Sequence, residues 1–267
     1  MKIFKSLKEW QQCRSNLSNS SIGFVPTMGN LHAGHMALYK QSRLENDISV
    51  ASIFVNAKQF NNLDDFNNYP QTLEQDLQKL EQAGVDYCLL PNQAEIYPKN
   101  YQYRVNETLI SQQMEGKCRP GHFDGVLTIV LKLLNLVKAN NAYFGEKDYQ
   151  QYQLIKGMTE AFFMPTKIIP CPIIRDDFGL ALSSRNNRLT TKQLAQARNF
   201  AKLFHQYQLA TPEIKTLLES AKIKVEYIKQ YQGRCFAAVF IDDVRLIDNW
   251  QIPLNQNFQK LDQTDLS

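Results

Sequence analysis

The sequence predicts an α/β protein with a doubly wound parallel sheet, followed by a smaller α+β domain. Two observations lead to this prediction. Up to about residue 174, short apolar runs rich in β-branched and aromatic residues alternate with amphipathic stretches, and from about residue 175 the chain becomes polar and largely helical. Strands that alternate with helices of this length are typical of a parallel sheet, which binds ligands at the carboxyl ends of its strands.

Five apolar runs bounded by glycine, proline or asparagine are predicted strands: residues 22–25, 48–55, 85–90, 142–144 and 168–174. One helix between them is predicted from an apolar stripe, with Thr72 as its N-cap and Gly84 just beyond its end. The stripe consists of Leu73, Leu77, Leu80 and Ala83. A second helix is predicted from the i, i+3, i+4, i+7 spacing of apolar residues over 126–137. Residues 1–174 are therefore predicted to form a Rossmann-like domain.

Residues 175–267 are predicted to form the smaller C-terminal α+β domain. Helices are expected at 191–208 and 212–221, and strands at 222–228, 234–241 and 244–247. The tail beyond Leu254 is polar, and we expect it to be loosely ordered. A site divided between two domains can close over its substrate, so this domain could act as a lid.

Composition excludes several classes of protein. The 267 residues include 30 Lys and Arg against 26 Asp and Glu, and a net charge of +4 is too small to indicate nucleic-acid binding although it suits an anionic small substrate. No apolar run could span a bilayer and the N-terminus lacks a signal-like apolar region, so we expect a soluble, cytoplasmic protein. Five scattered cysteines without C-x-x-C spacing predict reduced thiols and no metal cage.

The strongest motif is H-x-G-H, which follows the first predicted strand and opens a helix within residues 26–35. His32 and His35 are three residues apart, so in a first helical turn they project from one face. The N–H groups and positive end of that helix favour an anion such as phosphate, and Gly29 and Gly34 would let backbone approach a nucleotide closely. Two imidazoles there could stabilise charge on a phosphoryl group in transfer.

Polar side chains also follow the next strand. Asn56 and Gln59 offer neutral amides that suit a hydroxylated substrate, although such residues are also common in ordinary loops. The polar stretch 61–71 is interpreted either as a mobile lid or as a long loop.

Three further segments are candidates for the site. In residues 119–126, glycine, proline and Phe123 are interpreted mainly as turn and packing elements, with His122 as a scaffold for a polar pocket. In residues 144–151, Lys147 is a cation suited to a phosphate, Asp148 could cap a helix or bind a ribose hydroxyl, and Gln151 lies four residues beyond Lys147. The hydroxyl and guanidinium groups of residues 182–186 suit either a phosphate or a helix cap.

Taken together, these blocks resemble the pantothenate synthetase (pantoate–β-alanine ligase) family, part of the H-x-G-H nucleotidyltransferase superfamily. The resemblance rests on several blocks in the same order along the chain, with a weaker block at 244–248. They are residues 26–35, 52–60, 69–72 with Asp76, 119–123, 144–148 and 183–186. Several ordered blocks are more specific than H-x-G-H alone.

The resemblance implies ATP-dependent condensation of pantoate with β-alanine through a pantoyl adenylate, with release of pyrophosphate and AMP. It implies that His35, His32 and Lys147 are the catalytic groups, that Gln59, Gln151 and Asn56 bind pantoate or β-alanine, and that the enzyme is a homodimer. Mg²⁺ would be carried by the ATP phosphates. The residues implied to hold ATP are Met28, Gly29, Asn30, Leu31, His32, Ala33, Gly34, His35, Gly145, Glu146, Lys147, Asp148, Ile174, Leu182, Ser183, Ser184 and Arg185.

The sequence departs from the family pattern at three places: Ala57 replaces the usual proline, Gln71 the usual arginine, and Asp177-Phe178-Gly179 lacks the usual Asp-Gly turn. Two alternatives remain open. One is another H-x-G-H adenylyltransferase with a phosphate acceptor, which Gln59 and Gln151 disfavour because such a pocket should contain more Arg or Lys. The other is a non-catalytic nucleotide-binding or RNA-binding module, and the lack of a strongly basic face argues against RNA.

Overall fold

The computed structural model describes residues 1–61, 66–67, 69–70, 72–206 and 209–253. The chain forms two compact units, Met1–Ile174 and Arg175–Ser267. Gln71, the last residues of the helix predicted at 191–208 and the tail beyond Leu254 lie outside the described residues, as does part of the 61–71 segment.

The first unit alternates strands and helices along the chain. Its elements are β1 (Lys2–Phe4), α1 (Leu7–Ser15), β2 (Ile22–Thr27), α2 (Ala33–Glu45), β3 (Ile48–Ile53), α3 (Leu73–Gln82), β4 (Tyr87–Leu89), α4 (Gln93–Ile96), α5 (Met114–Cys118), α6 (His122–Val137), β5 (Asn141–Gly145), α7 (Tyr149–Ala161) and β6 (Lys167–Cys171). Short 3-10 turns occupy Ala57–Gln59, Ile110–Gln112 and Glu146–Asp148.

The six strands form one sheet in the order β1-β4-β3-β2-β5-β6, and every neighbouring pair is parallel. From β2 the chain adds strands on one side through β3 and β4, and later on the other side through β5 and β6. This arrangement is a doubly wound, Rossmann-like sheet, and it confirms the fold predicted from the sequence. The strand order reverses between β2 and β5, where such sheets bind ligands.

Two apolar layers cover the sheet, because successive side chains of a strand point to opposite faces. Phe24 of β2 and Val50 of β3 pack on one face with side chains of α1, α6 and α7. Val25 and Ala51, the next residue of each strand, pack on the other face with side chains of α2 and α3. Strands buried on both faces explain why these runs are almost continuously apolar.

The structure also corrects details of the predicted elements. Strand β1 and helix α1 were not predicted, because β1 has only three residues and pairs with β4 far along the chain. Thr72 precedes α3 as predicted, but its side chain does not cap the helix and instead donates a hydrogen bond to the carboxylate of Asp76. Strand β6 ends at Cys171 rather than 174.

The second unit has a three-stranded antiparallel sheet in the order β7-β8-β9, which confirms the predicted α+β class. Its elements are a 3-10 turn (Ser184–Arg188), α8 (Thr191–Phe204), α9 (Thr211–Ser220), β7 (Lys224–Tyr231), β8 (Arg234–Ile241) and β9 (Val244–Gln251). Side chains of both helices and of β8 and β9 form its apolar core. Buried Asp248 accepts hydrogen bonds from Arg175 and His205 within this unit, and these bonds lower the pKa of the carboxyl although burial opposes them.

Candidate active site

Three loops at the carboxyl edge of the first unit's sheet contain ten of the twenty residues that the resemblance implies for the site. Residues 28–32 connect β2 to α2, Asn56 and the Ala57–Gln59 turn follow β3, and the Glu146–Asp148 turn connects β5 to α7. Strand β2 lies between β3 and β5 in the sheet, so the three loops follow adjacent strands. They therefore meet where the strand order reverses.

The two histidines of the H-x-G-H motif cap the start of α2 with their own rings. Nδ1 of His32 accepts a hydrogen bond from the N–H of Gly34 at 3.1 Å, and Nδ1 of His35 accepts one from the N–H of His32 at 3.3 Å. The ring centroids are 4.0 Å apart. Because both Nδ1 atoms act as acceptors, this network assigns the proton of each neutral ring to Nε2. Each ring can then donate one N–H bond to a ligand.

The glycine of the motif is explained by the same geometry. A Cβ added at Gly34 would lie 2.8 Å from Cε1 and 2.9 Å from Nδ1 of His32. Contacts this short would push the ring out of its capping position. Glycine here serves the placement of His32, which adds to the close backbone approach expected from the sequence.

Both histidines are neutral at pH 7. Burial, with Lys147 contributing, lowers the pKa of His32 to about 4. Burial, followed by the nearby His32 and Lys147, lowers the pKa of His35 to about 3. Both rings are therefore neutral imidazoles rather than imidazolium ions.

Lys147 and Asp148 lie on the neighbouring loop. The positive charge of Lys147 contributes to lowering the pKa of both histidines. Its Nζ is 4.0 Å from Oδ2 of Asp148. Asp148 is the residue before α7, but its side chain makes no capping hydrogen bond and is half exposed. Of the two roles expected for Asp148, helix capping is therefore wrong, and a ligand contact stays a prediction.

Asn56 and Gln59 differ in burial, because Asn56 is buried whereas Gln59 is partly exposed. Asn56 is 1% exposed, and its Nδ2 donates to Oε1 of Gln59 and to the carbonyl of Gly125. Its Oδ1 accepts from the hydroxyl of Tyr97. Asn56 therefore supports Gln59 in this structure, and its expected contact with pantoate or β-alanine stays a prediction. Gln59 is partly exposed, and its Nε2 lies 2.9 Å from Sδ of Met28.

Arg119 and His122 both contact the backbone carbonyl of Gln59 in the same turn. The sequence predicted a supporting role for His122 but not for Arg119. Nδ1 of His122 lies 2.8 Å from the carbonyl oxygen of Gln59 and its Nε2 lies 3.1 Å from the Arg119 guanidinium. A guanidinium can only donate, so Nε2 accepts and Nδ1 donates to the carbonyl. Burial, with Arg119 contributing, lowers the pKa of His122 to about 4. The Arg-Pro-Gly-His string at 119–122 was the available signal for this role.

The neutral histidines predict how stability depends on pH. His32, His35 and His122 have folded-state pKa values of about 3 to 4, whereas an unfolded histidine titrates near 6.5. Below pH 6.5 the unfolded chain binds more protons, so we expect the free energy of unfolding to fall as pH is lowered from 6.5 to 5. Each histidine can lower the free energy of unfolding by at most about 1.4 kcal/mol for each pH unit.

Urea unfolding at pH 7, 6.5, 5.5 and 5 measures this dependence. The variant His122→Asn cannot titrate at this position and should show a shallower decline than the unmodified chain. Equal slopes for the two proteins would show that His122 is not held neutral in the folded state.

The remaining candidate residues lie in α7, near the end of the first unit and in the second unit. Gln151 lies in the first turns of α7 and is partly exposed, whereas its neighbour Gln150 is buried and bonded to Glu115, Ile110 and Gln113. Ile174, near the end of the first unit, is partly exposed. In the second unit, Leu182, Ser183, Ser184 and Arg185 are all partly exposed, and Ser183 Oγ accepts from the N–H of Arg185, so it caps the Ser184–Arg188 turn.

Two negative findings apply to the described part of the chain. Within it, no group of three or more His, Cys, Asp or Glu side chains is arranged to hold a metal ion. Within the same residues, no helix is both long enough and apolar enough to cross a membrane.

The chain is similar to known proteins in both sequence and structure. The family model described as pantoate-beta-alanine ligase matches residues 2–251. Pantothenate synthetase of Legionella pneumophila strain Corby is 56% identical over 251 residues, which are 94% of this chain and 99% of that protein. Pantothenate synthetase of Coxiella burnetii strain Dugway 5J108-111 is 53% identical over 248 residues, covering 93% and 96% of the two chains.

Solved structures show the same relationship. The crystal structure of pantoate-beta-alanine ligase from Francisella tularensis, complexed with beta-gamma ATP and beta-alanine, has a TM-score of 0.90 at 44% identity, covering 94% of this chain and 97% of that one. Pantothenate synthetase from Thermus thermophilus has a TM-score of 0.86 at 35% identity, covering 94% and 99%. With matching motifs, fold and nearly full-length similarity, the chain belongs to the pantoate–β-alanine ligase family.

Proposed function

We propose that this protein joins pantoate to β-alanine at the expense of ATP, by way of a pantoyl adenylate. The observation that carries the proposal is the pair of histidines, with ring centroids 4.0 Å apart, at the reversal point of the sheet, with Lys147 on the loop after the neighbouring strand. A carboxylate is a poor acyl donor, and attachment of AMP turns one of its oxygens into a good leaving group. The Francisella relative, complexed with an ATP ligand and β-alanine, supports this choice of substrates.

In the first step, a pantoate carboxylate oxygen attacks the α-phosphorus of ATP. The bond from that phosphorus to the bridging oxygen breaks, and pyrophosphate leaves with the electron pair. Nε2–H of His32 and of His35 and the ammonium of Lys147 stabilise the charge that builds up on the phosphoryl and leaving oxygens. In this scheme both rings act by donating hydrogen bonds from Nε2, and neither needs to transfer a proton.

In the second step, the neutral amine of β-alanine attacks the acyl carbon. The bond from that carbon to the AMP oxygen breaks, AMP leaves, and the nitrogen loses a proton to solvent as the amide forms. Gln59 and Gln151 are the side chains that we assign to pantoate, with Gln59 also bordering β-alanine. Asn56 acts in this scheme by holding Oε1 of Gln59.

The remaining ATP contacts follow the family resemblance. Residues 28–35 and 145–148 would hold the phosphates and ribose, Ile174 would contact adenine through its backbone, and residues 182–185 of the second unit would bind phosphate. Because no three-ligand group is present among the described residues and the Asp76 carboxylate is occupied by backbone N–H groups, Mg²⁺ would be held by the nucleotide phosphates. Bound there, it would neutralise phosphate charge.

We further propose a cytoplasmic homodimer, as the family resemblance implies. Multi-angle light scattering during size exclusion measures the assembly directly. A mass of one chain, about 30.9 kDa, at micromolar concentration would contradict the dimer.

The test of the reaction is exchange of labelled pyrophosphate into ATP, with and without pantoate, followed by addition of β-alanine. We expect exchange only with pantoate, and AMP release only after β-alanine is added. Absence of pantoate-dependent exchange from folded, ATP-binding protein would reject the ligase and favour an adenylyltransferase that uses a phosphate-bearing acceptor.

A further inference from the structure

The connection between β2 and α2 has an unusual backbone. Gly29 and Asn30 are consecutive residues with left-handed conformations, at φ +83° and +51°. A left-handed conformation is unfavourable for residues with a Cβ, although asparagine tolerates it better than most. The chain returns to extended geometry at His32, which caps α2. Hydrogen bonds from outside the loop stabilise this turn.

The carboxylate of Asp76 in helix α3 binds this turn. Its Oδ2 accepts the N–H of Asn30 at 2.8 Å and its Oδ1 accepts the N–H of Leu31 at 2.8 Å. The hydroxyl of Thr72 donates to Oδ2 at 3.0 Å. The Asp76 side chain is 1% exposed, and each carboxylate oxygen is engaged by a backbone N–H of the loop. Both oxygens of the Asp76 carboxylate therefore bind the loop.

Lys79 completes the arrangement one helical turn further along α3. Its Nζ donates to the carbonyl oxygen of Leu31 at 2.6 Å. The N–H and the carbonyl of Leu31 are thus both bound by charged side chains of one helix. Residues three apart on a helix share a face, which is why one helix can bind both polar groups of the same residue.

We infer that Asp76, assisted by Lys79, is a positioning residue that sets His32 and His35 at the transferring phosphoryl group by fixing the backbone of residues 30 and 31. His32 follows directly in the chain, and its N–H and ring bind His35 and Gly34. A displacement of Leu31 is therefore passed to both rings. The inference rests on the proposed function for its effect on rate, but the position of the rings can be measured independently.

The variant Asp76→Asn tests it while preserving the shape of the side chain. An amide has one acceptor oxygen, so in either orientation its NH₂ group faces the N–H of Asn30 or of Leu31. We expect pantoate-dependent pyrophosphate exchange to fall about 100-fold, since a displacement near 1 Å can cost that much. The kcat/KM for β-alanine should stay unchanged, because this amine reacts after adenylation.

Two further variants make the test specific. Lys79→Met removes the donor to the Leu31 carbonyl, together with a positive charge that contributes to lowering the pKa of both histidines, so we expect a loss in the same direction and about tenfold. The control is Asp47→Asn, because Asp47 also accepts a backbone N–H and a hydroxyl, both from Ser21, at the amino end of the sheet. Exchange by this control should match the unmodified chain.

Histidine ¹⁵N–¹H spectra report the rings without any turnover. The chain has four histidines, so His122 and His205 serve as internal references. We expect Asp76→Asn and Lys79→Met to shift the signals of His32 and His35 and to leave the other two in place. If Asp76→Asn does not fold, Lys79→Met provides the same comparison on its own.

The outcomes separate the two proposals. Unchanged exchange and unchanged His32 and His35 signals in the folded variants would overturn the positioning role. Shifted signals in the variants of a protein that shows no pantoate-dependent exchange when unmodified would support the positioning role and reject the ligase reaction instead.

Discussion

Replacing His35 with alanine is expected to lower the rate of pantoate-dependent pyrophosphate exchange about 10²- to 10³-fold, with little change in ATP affinity. Removal of one preorganised donor to a developing oxyanion typically costs this much, because the donor acts mainly in the transition state. His35 is suited to that role because its Nδ1 is occupied by the N–H of His32, which leaves Nε2–H for the ligand. Exchange kinetics and equilibrium ATP binding measure the two quantities separately.

Alanine at position 35 also removes a helix cap, so a second variant is needed. In His35→Asn, the side-chain oxygen can take over the acceptor role of Nδ1, but nothing replaces the Nε2–H donor. We expect this variant to be as slow as His35→Ala. Recovery of most of the rate in His35→Asn would show that the cap, and not the donor, is what catalysis needs. A near-normal rate in both variants would reject the catalytic role of His35.

Replacing Gly125 with alanine is expected to disrupt the pantoate side of the site. A Cβ at this position in α6 would lie 2.4 Å from the carbonyl oxygen of Lys58, 2.6 Å from its carbonyl carbon and 2.7 Å from the nitrogen of Gln59. All three atoms are backbone, so the clash cannot be relieved by rotating a side chain. The Ala57–Gln59 turn must move away from α6, and Gln59 moves with it.

We expect Gly125→Ala to raise the KM for pantoate at least about tenfold and to lower the free energy of unfolding by about 1–3 kcal/mol, the usual cost of overpacking. The hydrogen bond from Asn56 to the carbonyl of Gly125 would be strained by the same movement. Initial rates at varied pantoate and urea unfolding at pH 7 provide both measurements.

Gly157→Ala is the matched control, because Gly157 also lies inside a helix but a Cβ there meets no atom within 4 Å. Alanine at an exposed helical position should stabilise the chain by about 0.5–1 kcal/mol. Its KM for pantoate should equal that of the unmodified chain. If Gly125→Ala behaved like this control, the close packing of α6 on the turn could not be what positions Gln59.

Much of the fold followed from local patterns in the sequence. The run at 22–25 and the stripe over 126–137 predicted a strand and a helix that the structure places at Ile22–Thr27 and His122–Val137. These elements are buried on wide apolar faces, so their periodicity is strong. Strand β1 left no such signal, since three residues become a strand only by pairing with β4.

The candidate site was predictable to the extent that its residues follow strands of a parallel sheet. His32, His35, Lys147 and Gln59 could be assigned to one edge for this reason. Asn56 could not be distinguished from Gln59, because both are amides after the same strand and only burial separates them. Helix capping was one of the two roles predicted for Asp148, but its side chain does not make that bond.

The sequence by itself determined the class of fold, the membership of the family and the chemical groups available for catalysis, because these depend on residue type and on spacing along the chain. Only the tertiary structure decided which of those groups are buried as supports and which stay partly exposed at the edge of the sheet. The protonation of His32 and His35, the burial of Asn56 and the bonds from Asp76 and Lys79 to residues 30 and 31 all depend on contacts between segments distant in sequence. Such contacts arise only when the sheet brings its loops together, so no local pattern contains them.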